Sequence, residues 1–447
     1  MKKTFPIHGI LGILLLLISE ICVFQKLDPF YRWFYCFAWW SYIVIIDAVI
    51  YRIKGNSLIL SRTREFFLMI PWSIFIWLVF EAANFSLKNW YYVNLPHSTM
   101  ERWLGYAVAY GTVLPGMFET VELLDALELF KKSKIKKTIV SKDGHSVLLL
   151  LGIFSLVASL LVPEYFFPLI WVGFIFLLDP LNYRFGVRSL LKDLEEGNPQ
   201  KGYLLLVAGL ICGILWEFWN YWALSKWVYT VPFFDQTKGF EMPFPGFLGF
   251  APFAVQAYVM YNFVSIFRFG RGWEEPTCRQ NPEKKTRPLT VLLTVIFIGS
   301  FSVLIFRGID SNTVDSYYPR LRDAYWIDAQ YQRELRRVGI ASFEDLLLKT
   351  RERKELDELA LRLVIPKELL VEWVEKASLV QLKGLGTINL RSLEAAGVNS
   401  ISDLARQDPE KLYQKLEEVT DEKAVPQKAK IRIWVREAQK KVRSSRG

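Results

Sequence analysis

The sequence is poor in the residues that build disulfides, metal sites and phosphate sites. Among 447 residues there are four cysteines and three histidines, and no cysteine follows residue 306. Disulfides therefore play no part in the C-terminal region. His8, His97 and His145 lack the spacing of metal ligands, so we expect no metal and no cofactor. No phosphate-binding glycine loop, nucleophile elbow or zinc motif is present, so no catalytic residue is predicted and enzyme activity stays open.

Charged residues are nearly missing from nine long apolar runs, which is typical of membrane-spanning helices. Hydrophobic residues make up 52% of the chain and aromatic residues 15%, well above the usual content of soluble proteins. A spanning helix needs about 17–25 mostly apolar residues. The predicted spans are 8–25, 33–50, 66–85, 103–123, 146–162, 164–181, 203–223, 244–267 and 288–306.

Basic residues are distributed unequally between the loops that join these runs. Lys2 and Lys3 precede the first run, which has no small-residue cleavage site and is therefore typical of a retained signal anchor. With the N-terminus inside, the inner segments hold 22 lysines and arginines and the outer segments hold 6. This asymmetry predicts an integral inner (plasma) membrane protein with a cytoplasmic N-terminus. Everything after Phe306 is then extracytoplasmic, and membrane lipid is a predicted partner.

Two stretches of the membrane part resemble each other. Glu81 and Asn84 recur 136 positions later as Glu217 and Asn220. Such long-period self-similarity predicts an internal duplication. Each copy holds four spans, an even number, so the copies are expected to be parallel repeats related by an axis along the membrane normal. Five further residues recur 132 positions later: Asp47, Tyr51, Arg52, Ser57 and Leu58 return as Asp179, Tyr183, Arg184, Ser189 and Leu190.

The duplicated glutamate and asparagine lie on one helix face, because they are three positions apart. Ionisable residues inside spans usually face a cavity or a partner, which predicts a polar intramembrane cleft. In the second copy an acid also precedes prolines in the outer loop, where it could cap such a cleft. The alternative is that the two glutamates lock the halves together. The predicted cleft residues are Glu81, Asn84, Glu217, Asn220, Tyr221 and Glu241.

A second duplicated pattern lies near the inner ends of the spans. Asp47 is followed by Arg52, and Asp179 is followed by Arg184. An aspartate near a helix C-terminus beside an arginine is typical of an ion pair that pins the adjoining loop. Three acids near the inner end of the fourth run are predicted to be solvated: Glu119, Glu122 and Asp125.

The second copy resembles the carotenoid-processing membrane families, the lycopene cyclases and carotenoid hydratases, over residues 203–267. The shared features are a glutamate at a span end, a loop rich in tryptophan and tyrosine, and a following span with proline and glycine. The Pro-x-Glu-Glu motif of the cyclases is absent. The resemblance implies an enzyme acting on an isoprenoid or other lipid. The matching residues are Glu217, Trp227, Tyr229, Glu241, Pro243 and Gly246.

After Phe306 the composition changes to charged residues and helix formers. Two loosely repeated units each have a helix ending at a glycine and a serine that opens the next helix. Between them, residues 379–387 resemble the helix-hairpin-helix motif. The region of about 330–442 resembles a tandem helix-hairpin-helix domain that many otherwise uncharacterised bacterial proteins carry.

This resemblance implies a phosphate or cation site at Lys383, Gly384, Gly386 and Thr387. In that family the two glycines let backbone N–H groups converge on an anion. The alternative is that the hairpin is a packing element and that the domain binds a protein. An extracytoplasmic location disfavours duplex DNA as its ligand, so a protein partner is the leading expectation.

These observations predict an all-α fold. Its parts are a membrane repeat over 1–135, a second over 136–270, an inner loop and ninth span over 271–310, and a soluble helix-hairpin-helix domain over 311–447. The leading function is a membrane scaffold or transport-type component with a polar cleft and an exported interaction domain. The alternatives are a membrane-embedded lipid enzyme and nucleic-acid capture by the tail. Oligomeric state and substrate are left open.

Overall fold

The chain folds into helices wherever the sequence has long apolar runs. The computed structural model describes residues 4–231, 238–274, 287–420 and 425–444. Parts of the predicted outer loop before Glu241 and of the predicted inner loop before Thr290 fall outside these ranges. The described chain is mostly helical, with two small two-stranded sheets.

The chain divides into two units. The first contains Met1–Asn89, Thr99–Leu224 and Val231–Thr313, and the second contains Trp90–Ser98, Ser225–Thr230 and Val314–Gly447. The second unit therefore combines the C-terminal region with two short segments that lie between the predicted spans.

Eight helical segments in the described residues are long and apolar enough to cross a membrane. These helices are consistent with the predicted membrane protein. The segments are α1 (Ile7–Phe24), α2 (Phe30–Lys54), α4 (Thr63–Leu87), α7 (Lys142–Leu161), Pro163–Arg184, α11 (Gln200–Trp222), Phe244–Arg268 and α13 (Pro288–Asn312).

The fourth predicted span is two shorter helices instead of one. These are α5 (Thr99–Tyr110) and α6 (Val113–Ala126), with a break at Gly111 and Thr112. Pro115 lies in the first turn of α6, where its missing N–H costs little. The eighth span also begins irregularly, with a 3₁₀ turn at Phe244–Gly249 before α12 (Phe250–Ser265). Both irregular starts coincide with the proline and glycine residues of these runs.

Short helices join the long ones. The helix α3 (Leu58–Ser61) begins after Ser57, and α10 (Leu190–Glu196) begins after Ser189. Each serine side chain accepts a hydrogen bond from the backbone N–H three residues later, which is the usual helix N-cap. Among the described residues, the first unit also contains α8 (Pro163–Phe166) and α9 (Ile170–Arg184).

Two glycines allow α11 and α12 to approach closely. A Cβ atom added to Gly209 would lie 2.3 Å from the carbonyl oxygen of Phe250, and one added to Gly213 would lie 2.3 Å from the Phe250 ring. Small residues four apart let two membrane helices pack backbone to backbone. The spacing of Gly209 and Gly213 in the sequence predicts such a close approach, and the structure has it.

A two-stranded antiparallel sheet lies in the second unit. Its strands are β1 (Trp90–Val93) and β2 (Lys226–Tyr229), and Trp90 pairs with Tyr229 while Val93 pairs with Lys226. The chain after α13 extends this arrangement, since Tyr92 forms a bridge with Val314 and Leu95 forms one with Tyr317. The second small sheet, in the first unit, joins β3 (Lys238–Gly239) to β4 (Met242–Pro243).

The tail of the second unit is a set of short helices around one apolar core that contains Trp373 and Trp434. Gly339 and Gly397 adopt left-handed backbone conformations, and Ser342 and Ser400 cap the following helices. The glycine and serine signals predicted both turns. The helices are α14 (Ala329–Arg337), α15 (Phe343–Leu348), α16 (Arg353–Leu363), α17 (Lys367–Val380), α18 (Gly386–Ala395), α19 (Ile401–Ala405), α20 (Pro409–Val419) and α21 (Lys428–Ser444).

Candidate functional site

The glutamates and asparagines that recur 136 positions apart are completely buried. Glu81 and Asn84 on α4, and Glu217 and Asn220 on α11, all have 0% exposure. The indole N–H of Trp77 donates to Oε1 of Glu81 over 2.8 Å. The side-chain oxygen of Asn84 accepts the backbone N–H of Asn89 over 2.8 Å, which closes the end of α4.

The other two predicted cleft residues differ from each other. Glu241 is buried, with 2% exposure. Tyr221 is 37% exposed, and its ring contacts those of Trp222 and Phe240. Tyr221 therefore does not belong to the buried polar set, although its spacing puts it one helical turn from Glu217.

Aromatic rings bring α4 and α11 into one core. The ring of Trp77 lies 5.0 Å from that of Trp216, centroid to centroid. Trp216 precedes Glu217 and also contacts Trp39 of α2 at 6.1 Å. The two duplicated polar pairs thus sit on helices that meet through tryptophan, next to a closely packed aromatic cluster.

The duplicated aspartates hold the starts of the short helices. Asp47 accepts the backbone N–H of Ile59 (2.7 Å) and the hydroxyl of Ser57 (2.9 Å). Asp179 accepts the backbone N–H groups of Leu190 (3.0 Å) and Leu191 (2.8 Å). The inner loops are therefore pinned through their backbone and N-cap residues. In the described part of the chain, Arg52 and Arg184 are not among the partners of these carboxylates.

Glu119 and Glu122 are buried, so the expectation that they are solvated is wrong. Glu119 has 0% exposure and Glu122 has 7%. Arg62 binds Glu122 over 2.5 Å, and its other terminal nitrogen donates to the carbonyl of Trp273 over 2.7 Å. The turn of helix that holds these acids is covered by Arg62 and by Trp273, whose ring stacks on Phe118 at 4.9 Å.

His8 is a further residue of this region that sequence reasoning missed. Its Nε2 atom lies 3.0 Å from Oδ2 of Asp47. A signal for it exists in the sequence, because His145 follows 137 positions later and interacts electrostatically with Asp179. The two histidines lack metal-ligand spacing, and their separation of 137 positions differs from the 132 positions between the two aspartates.

Asp310 is a second missed residue, because the predicted ninth span ends at residue 306. The structure continues α13 to Asn312. The carboxylate of Asp310 accepts two hydrogen bonds from Arg102 (2.7 and 2.6 Å), one from the Trp103 indole (2.9 Å) and one from the Tyr106 hydroxyl (3.0 Å). The Asp310 carboxylate binds Arg102 through both of its oxygens and thereby joins α5 to the end of α13.

The turn that resembles a helix-hairpin-helix motif packs against other residues of the second unit. Gly384 has a φ of 72°, and a Cβ atom there would lie 2.6 Å from Oδ2 of Asp315 and 2.7 Å from the Tyr91 ring. Asp315 pairs with Lys430. Burial raises the pKa of the Asp315 carboxyl, and the ammonium group of Lys430 opposes that rise. A carboxylate of the chain therefore lies beside the hairpin glycine.

The remaining predicted hairpin residues lie in the same turn. The carbonyl of Lys383 accepts the indole N–H of Trp434 over 2.8 Å. Gly386 has a φ of 59°, and a Cβ atom there would lie 3.0 Å from the side chain of Ser316. Thr387 follows within the first turn of α18 and is partly buried. The turn is thus bonded to α21 and lies against residues 315 and 316.

Comparison with known proteins assigns part of the tail. No curated protein and no solved structure matches the chain. Residues 326–441 match the family described as "Domain of unknown function (DUF4332)". This match supports a C-terminal domain that is similar to this uncharacterised family.

Proposed function

We propose that the protein is an integral membrane scaffold that presents its C-terminal domain to a protein partner. In this proposal two related four-crossing halves are locked around Glu81, Asn84, Glu217 and Asn220. The observation that carries the proposal is the complete burial of both duplicated pairs. A buried carboxylate in a span must find partners within the protein, so the pairs join the helices that surround them.

Reciprocal contacts support the duplication. Trp39 contacts Trp216 at 6.1 Å, and Trp171 stacks on Phe80 at 5.5 Å. Trp171 is the counterpart of Trp39 at 132 positions, and Trp216 is the counterpart of Phe80 at 136 positions. The tryptophan of each half therefore contacts the same position of the other half, which is residue 216 for Trp39 and residue 80 for Trp171. A two-fold axis between parallel repeats requires such an exchange.

The small sheet supports the same axis. The strands β1 and β2 begin 136 positions apart and are therefore equivalent segments of the two halves. They pair antiparallel, with the first residue of each opposite the last residue of the other. A pair of equivalent strands with this register is symmetric about a two-fold axis that passes between them.

The contacts of the β1–β2 sheet also support a total of nine membrane crossings. Because β1, β2 and residues 314–317 are hydrogen-bonded together, all three lie on one side of the membrane. Because β1 and β2 lie on the same side, the chain between them must cross the membrane an even number of times. The helices α7, α9 and α11 account for three of these crossings. The broken segment α5–α6 is then the fourth. The N-terminus and the tail lie on opposite sides, and the loop charges favour a cytoplasmic N-terminus and an extracytoplasmic tail.

We propose that the tail is of the tandem helix-hairpin-helix type. The support is the pair of glycines with positive φ, Gly384 and Gly386, between α17 and α18. The carboxylate of Asp315 lies beside Gly384 and would repel a phosphate there, which favours a packing role for the hairpin and a protein partner for the domain. Nucleic-acid capture is correspondingly less favoured.

A transport-type component is the second candidate. Duplicated carboxylates inside spans favour it, because such residues often mark ion pathways. The short connections from α4 to β1 and from α11 to β2 favour the scaffold, since paired strands limit how far these helix ends can separate. The lipid enzyme, with Glu217 or Glu241 as general acid, has less support because both residues are buried.

Cysteine labelling separates the scaffold from the transport-type component. In a chain whose natural cysteines are replaced by alanine, we expect Asn84→Cys and Asn220→Cys to react with a small water-soluble maleimide only after unfolding. The matched control is Met100→Cys, which is 84% exposed and reacts in the folded protein. The scaffold requires both buried positions to stay protected, because locked halves never open to water.

Each variant must first show the cooperative unfolding transition of the parent chain. Reaction of folded Asn84→Cys or Asn220→Cys at a rate close to that of Met100→Cys contradicts the scaffold and supports a site that opens.

A further inference from the structure

Glu119 stands out among the buried acids of the membrane part. It lies on α6 with 0% exposure. Neither of its carboxylate oxygens has a hydrogen-bond donor within the described residues. The helix α6 packs on α2 here, since the hydroxyl of Tyr42 on α2 is hydrogen-bonded to Thr120, the residue after Glu119, over 2.8 Å. Asp47, further along α2, is also fully buried, and it acts electrostatically on Glu119 together with Glu122 and Arg62. An ionised carboxylate without donors is very costly in such surroundings, so this side chain requires an explanation.

The neighbouring acids are already stabilised as carboxylates. Asp47 has three polar partners, which are the backbone N–H of Ile59, the hydroxyl of Ser57 and the ring nitrogen of His8. Glu122 is neutralised by Arg62 over 2.5 Å. Two adjacent carboxyl groups in a dry site do not both ionise, so the group with fewer donors retains the proton.

We propose that Asp47 and Glu119 form a proton-sharing carboxyl pair, a proton-binding site inside the membrane part of the protein. The hydroxyl of protonated Glu119 donates to the Asp47 carboxylate. This single proton satisfies Glu119 as a donor and gives Asp47 a further hydrogen bond. The pair then carries one negative charge instead of two.

His8 connects the pair to water. Its side chain is 23% exposed, and its Nε2 atom lies 3.0 Å from Asp47. An incoming proton leaves Nε2 of the imidazolium and binds Oδ2 of Asp47, which makes the histidine and the pair neutral. The reverse transfer returns the proton to water. The titratable and charged groups around the pair are His8 of α1, Tyr42 of α2, Arg62 before α4, Glu122 of α6 and Cys212 of α11.

The second half has counterparts of Asp47 and His8 but no acid that corresponds to Glu119. Asp179 caps α10 and lies near His145 as Asp47 caps α3 and lies near His8. The corresponding part of α12 carries Gln256, whose amide oxygen accepts the backbone N–H of Phe174 (2.9 Å) and whose amide nitrogen donates to the carbonyl of Ile170 (3.0 Å). The structural role is therefore met by the aspartate alone. The extra carboxyl of the first half serves a different purpose.

Infrared spectroscopy of the full-length protein tests the pair. At neutral pH we expect a carbonyl band of a protonated carboxylic acid that Glu119→Gln removes. The matched control is Glu164→Gln, at an exposed position, which leaves the band unchanged. We also expect His8→Ala to slow the hydrogen–deuterium exchange of this band, because it removes the group that joins the pair to water.

The folding of Glu119→Gln gives an independent readout. Glutamine is a neutral substitute for a protonated glutamate, so the variant should unfold at the same temperature as the parent or above it. A variant that fails to fold, or that unfolds at a clearly lower temperature, overturns the proposal because the ionised form is then the one required. An unchanged carboxylic-acid band in Glu119→Gln overturns it as well.

Discussion

Replacing Asp310 with alanine lowers the free energy of unfolding by about 3–5 kcal/mol, the usual loss when one partner of a buried ion pair is removed. Asp310 accepts four hydrogen bonds from three side chains of α5, and Arg102 has 4% exposure. The variant leaves a buried guanidinium without its carboxylate. The loss is therefore a desolvation penalty in addition to the missing hydrogen bonds.

The measurement is chemical unfolding of the purified protein in detergent micelles. Lys54→Ala is the matched control in the same unit, because its ion pair with Asp125 is partly exposed on both sides. Such pairs contribute about 0–1 kcal/mol. Equal losses in the two variants would contradict the assignment of Asp310 as the residue that joins α5 to α13.

Replacing Gly384 with alanine destabilises the C-terminal unit by about 2–5 kcal/mol. A left-handed backbone conformation costs an alanine about 1–2 kcal/mol. The new Cβ atom would also lie 2.6 Å from Asp315 and 2.7 Å from the ring of Tyr91. Relieving this steric overlap adds about 1–3 kcal/mol to the destabilisation. Asp315 is held in place by Lys430 and Tyr91 by the pairing of β1, so neither side chain moves away easily.

Gly397→Ala provides the control for the backbone cost. Gly397 has a φ of 75°, and its added Cβ atom would meet the flexible end of Lys415 at 3.7 Å. The difference between the two variants therefore isolates the packing of the hairpin against residue 315. If both variants lose the same free energy, the hairpin glycine is not a packing element and the phosphate-site interpretation regains support.

The elements that local patterns encode could be predicted from the sequence. Long apolar runs predicted the spanning helices, because every such helix must cross a hydrocarbon layer of about the same thickness. Ser342 and Ser400 marked helix starts because a serine cap acts within three residues. The spacing of Gly209 and Gly213 predicted a close helix contact, because two small residues four positions apart are enough to let another helix approach.

The partners of the polar residues could not be predicted. Asp310 lies beyond the predicted end of the ninth span, and its partners Arg102, Trp103 and Tyr106 lie more than 200 positions earlier. Glu119 looked solvated, because nothing near it in sequence indicates that Arg62 and Trp273 cover this end of α6. A span boundary tells where a charge lies along a helix, and only the tertiary fold tells what faces it.

The account depends most on the placement of β1, β2 and the tail on one side of the membrane. Labelling of single cysteines in sealed, oriented vesicles with an impermeant reagent tests this directly. We expect Ser98→Cys and Lys354→Cys to be labelled from the same face, and Lys136→Cys from the opposite face; all three positions are exposed. Labelling of Ser98→Cys and Lys354→Cys from opposite faces would contradict nine crossings, the shared sheet and the two-fold relation of the halves.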